Sequence, residues 1–110
     1  MDWKITFEHE LTTAAIARQR GNEGMARVCA RRAAGAAASE YLRRNQLPNP
    51  NTAYDRLRWL AANPAISPEI QELAGRFLVR ITPEHELPID ADLLADARKL
   101  AELLLGQAES

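Results

Sequence analysis

Two histidines and one cysteine carry most of the reactive options in this 110-residue chain. Arg80 precedes His85 by five residues in Arg80-Ile81-Thr82-Pro83-Glu84-His85. An imidazole can take and return a proton near neutral pH, and a guanidinium can neutralise a strained phosphate. Arg27 and Arg31 stand one helical turn apart, with Arg32 adjoining, and their forks could hold a phosphate. The same three arginines could equally form a solvated face, or pair with acids near the C-terminus. His9-Glu10-Leu11-Thr12-Thr13 begins like a zinc-protease motif, but Thr13 stands where the second histidine is needed, so no metal site is expected. Cys29 lies among Arg27, Arg31 and Arg32, whose charge could lower its pKa. With no histidine nearby in sequence, it reads as a small buried residue. Gly21 and Gly24 lack the Lys-Ser/Thr of a phosphate loop and read as a turn between helices. No cofactor is implied by any of these residues.

Charge sharpens the question about the arginines. Fourteen Lys and Arg against 15 Asp and Glu leave a net charge of −1, which argues against a general nucleic-acid coat. The distribution is uneven. Residues 18–44 hold Arg18, Arg20, Arg27, Arg31, Arg32, Arg43 and Arg44 against Glu23 and Glu40, a net +5. Residues 81–110 hold seven acids against Arg98 and Lys99, a net −5. Either the two regions neighbour and neutralise each other, or a basic face is kept for an anionic ligand or partner.

The elements that must position these residues are helices. Twenty Ala and 14 Leu, with few β-branched or aromatic residues, favour an all-α fold. The length fits one domain, over residues 1–106, with a frayed tail at 107–110. Helices are expected over about 3–19, 23–44 and 53–62. A fourth starts at the Ser67-Pro68-Glu69 signal and ends near Arg80–Thr82, and a fifth is capped by Asp90 and stopped at Gly106. Trp3, Phe7, Leu11 and Ala14 form one apolar stripe, and Tyr54, Leu57, Leu60 and Ala61 another. Ala33-Ala34-Gly35-Ala36-Ala37-Ala38-Ser39 lets neighbouring helices approach closely, so the second helix should be central. Gly35 costs about 1 kcal/mol in a helix interior, which a close crossing would justify. Short connectors imply antiparallel neighbours in a bundle. The lone cysteine, the absence of an apolar run of roughly 18–20 residues and the polar start Met1-Asp2-Trp3-Lys4 suggest a cytoplasmic chain with no membrane segment.

From residue 9 to 105 the chain resembles the HEPN family of small helical domains. The likeness rests on the small-rich run from Gly24 to Leu42, with Arg31-Arg32-Ala33-Ala34-Gly35 and Glu40-Tyr41-Leu42 in the family's places. It continues in Pro48-x4-Ala53-Tyr54-Asp55-x-Leu57 and in the acidic-capped stretch from Pro88 to Arg98. The resemblance implies an up-and-down four-helix bundle with one additional short helix. It also implies a homodimer, or pairing with a small nucleotidyltransferase in a toxin–antitoxin system, with RNA or a nucleotide as ligand. Many members are metal-independent endoribonucleases with an Arg-x(4–6)-His motif at the dimer cleft, and Arg80 and His85 fit that spacing. Ile81 stands where the family places a polar residue, and Pro83 and Pro88 put the motif in an extended link. The expected function is therefore a homodimeric, partner-binding module without catalysis; the alternative is an endoribonuclease using Arg80 and His85.

Overall fold

The structure, a computed structural model, describes residues 2–79 and 92–106. Five helices appear among them: α1 (Trp3–Gln19), α2 (Glu23–Arg44), α3 (Ala53–Ala62), α4 (Pro68–Arg76) and α5 (Leu93–Leu105). The described residues are all-α, and none of their helices is long and apolar enough to cross a membrane.

Local chemistry sets the boundaries. Asp2 accepts a hydrogen bond from the Lys4 amide and starts α1. At its far end Gly21 turns through φ 77°. The Gly21 and Asn22 amides close back onto the Arg18 and Ala17 carbonyls, at 3.0 and 2.8 Å. Asn22 then caps α2 through the Met25 amide, so one residue ends one helix and starts the next. Gly24, expected to belong to the break, lies inside α2. Thr52 caps α3, and Ser67 caps α4 with Pro68 in the first turn.

Two boundaries differ from expectation. α4 stops at Arg76, with Phe77 as C-cap and a turn through Leu78, rather than near residue 80. Asp92, not Asp90, caps α5. Its Oδ1 accepts from the Leu94 and Ala95 amides and from the Arg18 guanidinium at the end of α1. Two aspartates two residues apart are equally able caps by sequence, and the cross-helix cation accompanies the second.

α2 is the centre of the assembly. It packs along α1, α3 and α5, and α4 closes the ring between α3 and α5. Ala30, Ala33, Ala34, Ala37 and Ala38 are fully buried against Phe7 and Leu11 of α1, Leu57 and Leu60 of α3, and Leu93, Ala97 and Leu100 of α5. The Gly35 crossing is tight: a Cβ there would lie 2.8 Å from Ala53 Cα and closer still to its Cβ. The first turn of α3 thus lies directly on α2 backbone, and a side chain at Gly35 would force the two apart. Tyr54, expected inward, is 42% exposed at that first turn, with the Arg31 guanidinium 5.9 Å from its ring centre.

Candidate functional site

The crossing at Gly35 carries α3 towards the C-terminal half of α2, where the first turns of α1 also lie. The three form a cleft of about 690 Å³ lined by Asp2, Trp3, Thr6, Ala36, Ser39, Glu40, Arg43, Arg44 and Arg56. That is within the usual size range for a small-molecule site.

Its polar groups divide into two systems. Glu40 accepts from Arg43 Nε and Nη2 at 3.0 and 2.6 Å, and from Arg44 Nε at 2.8 Å. These bonds, the Arg43 pair foremost, hold the Glu40 carboxyl down to about 2 against the opposing effect of its burial. Arg56 is placed differently. Its Nε donates to Asn49 Oδ1 at 3.0 Å and to the Pro50 carbonyl at 2.8 Å. Asn49 in turn donates to Ser39 Oγ at 3.0 Å, which ties the loop after α2 to the cleft wall. No carboxylate among the described residues pairs with Arg56, and burial lowers its pKa. The guanidinium remains charged, since its intrinsic pKa is far above neutrality. The cleft therefore presents a half-buried cation whose Nε is held by neutral acceptors.

Trp3 supplies an apolar wall. Its ring meets Phe7 edge-on at 5.5 Å and 68°, which fixes its plane while leaving it half-exposed at the cleft. An aromatic face beside the Arg56 guanidinium suits a planar ligand bearing an anionic group.

The arginines singled out from sequence lie towards the other end of α2 and do not line this cleft. Arg27 is largely buried, 4.0 Å from Glu23, and its Nη1 is enclosed without a hydrogen-bond partner. Arg31 lies over Tyr54, and Arg32 is exposed. The acids of α5 pair elsewhere: Asp92 with Arg18 at 3.1 Å, and Asp96 with Arg76 at 3.0 Å. Among the described residues the basic and acidic regions meet through Arg18 of α1, with no ion pair to the acidic region from the arginines of α2. Arg80 and His85 lie outside the described residues.

Cys29 is 1% exposed, and its thiol pKa is pushed up by burial and by Glu10, with Arg32 acting weakly the other way. That suits an inert packing residue. His9 is on the exposed face of α1, and no cluster of three metal-ligating side chains occurs among the described residues.

Sequence alone does not single out the cleft residues. Trp3 read as core stripe, and Arg43 and Arg44 only as part of a charge total. The Glu40/Arg43/Arg44 spacing was a visible signal for a shared carboxylate; the arrival of Arg56 and Trp3 was not, because both come from other helices. No family model, curated protein or solved structure matches the chain.

Proposed function

We propose that this chain is a HEPN-like helical bundle that works by binding, as a homodimer, and not by catalysis. Its ligand is a nucleotide, free or carried by a partner, held in the cleft between α1, α2 and α3. In a toxin–antitoxin or related setting, a small nucleotidyltransferase is a partner of matching chemistry, because it handles nucleotides itself.

One observation carries the ligand class: Arg56 is half-buried in the cleft with no carboxylate among the described residues to neutralise it. A desolvated cation with an unspent fork favours an anion that completes it. Trp3 provides the face on which a base stacks, and Arg44 reaches the same cleft from α2.

Calorimetric titration with AMP and with adenosine tests this. AMP is expected to bind saturably, and adenosine more weakly, because it lacks the phosphate. Arg56→Gln should weaken AMP about tenfold or more, as a hydrogen bond to a charged group contributes about 1.5–3 kcal/mol. Equal affinity for AMP and adenosine, or unchanged affinity in a folded Arg56→Gln variant, would remove the reading.

A further inference from the structure

α1 packs along α2 and touches α5 only lightly, so one side of it has no neighbour among the described residues. Its inner side is Phe7, Leu11, Ala14 and Ala17. On the opposite side stand Ile5, 68% exposed, and Ile16, 43% exposed, with exposed His9 and Thr12 between them. The spacing is four, three, four. At 100° per residue these four side chains fall within an arc of about 60°, a narrow seam of the kind that pairs two helices.

The seam is symmetric about a point midway between residues 10 and 11. Reversing the helix exchanges Ile5 with Ile16 and His9 with Thr12. We infer that this face pairs with a second copy of itself, α1 against α1 in antiparallel order about a two-fold axis. This rests on the homodimer reading above and adds its surface and register. Ile5 then meets the partner's Ile16 at both ends, and His9 meets the partner's Thr12 in the middle.

Charge selects the same occupant and the same direction. Asp2 sits at the start of α1 and Arg20 at its end, both exposed. Antiparallel pairing sets Asp2 beside the partner's Arg20 twice, and brings opposite helix-dipole ends together. Parallel pairing would set Asp2 against Asp2 and Arg20 against Arg20. The polar middle weakens the seam but fixes its register, because sliding by one turn buries a histidine against an isoleucine. With four seam positions per protomer, the contact is smaller than the roughly 800 Å² per partner of a stable interface. The dimer is therefore reversible and grows with concentration.

Cysteine cross-linking tests the pairing. Cys29 is buried, so the unaltered protein serves as the control under mild oxidation. An equimolar mixture of Ile5→Cys and Ile16→Cys proteins is expected to give a disulfide-linked dimer. Each variant alone should not, since like positions are offset by about 16 Å along the axis. Light scattering should show association of the wild type that Ile16→Asp abolishes. A link formed by Ile5→Cys alone would overturn the antiparallel order. A wild-type dimer with no link in the mixture would overturn this seam while leaving the homodimer standing. A one-chain mass at several hundred micromolar would overturn both.

Discussion

The two ends of α2 carry similar arginine clusters with different fates. Near the start, Arg27 leans on Glu23 and Arg31 lies over Tyr54. Near the end, Arg43 and Arg44 share one carboxylate, and Arg56 arrives from α3 with none among the described residues. Composition does not separate the two clusters. What separates them is which neighbours fold onto each: the first adjoins the α1–α2 turn, whereas the second is enclosed by the start of α1 and by α3. A basic patch becomes a candidate site when the fold gives it walls and brings in a cation from another helix.

The largest change that breaks this difference is at Gly35, where α3 meets α2. Gly35→Val places side-chain atoms into the Ala53 backbone. It should cost about 3 kcal/mol by overpacking, measured by urea denaturation, and should weaken AMP binding in whatever fraction stays folded. Next in size is the contrast between the clusters themselves. Arg56→Gln should lower AMP affinity about tenfold, while Arg31→Gln should change it less than twofold in the same titration.

Acid sensitivity gives a smaller effect with a definite sign. The folded Glu40 carboxyl titrates at about 2, below its ordinary 4.5. Its contribution is therefore full above about 4.5 and is lost as pH falls towards 2. Asp96 works the other way: burial raises its pKa despite Arg76, so protonating it favours the fold. Glu40→Gln removes the first effect and keeps the second. The variant should lose less stability than the wild type between pH 4.5 and pH 2, followed by thermal melts. The smallest effect is at the end of the same cluster. Gln46 closes α2 at φ 56°, a conformation that favours glycine. Gln46→Gly should raise stability by about 0.5–1 kcal/mol without altering AMP affinity.

Most of the fold was legible because its signals are local. Asn22, Thr52 and Ser67 cap helices as their side chains dictate, and the alanine run of α2 lies at the centre as small side chains allow. The start of α5 is not legible in the sequence, because Asp90 and Asp92 both satisfy the local rule, whereas the ion pair of Asp92 with Arg18 is a contact between distant segments. Tyr54 shares its spacing with Leu57 and Ala61, yet the face of α3 that meets the core centres on Ala53, Leu57 and Leu60, and Tyr54 falls to its side. The cleft joins residues 3, 40, 44 and 56 from three helices, and no spacing within one helix encodes that meeting.

The most direct test of the central claim is where AMP perturbs the amide and side-chain NMR signals of the unaltered protein. The account predicts saturable shifts at the Trp3 indole N–H, Ser39, Glu40 and the Arg56 Nε–H, with little change at Arg27, Arg31 and Arg32. Shifts centred on Arg27–Arg32, or none at millimolar AMP, would contradict it.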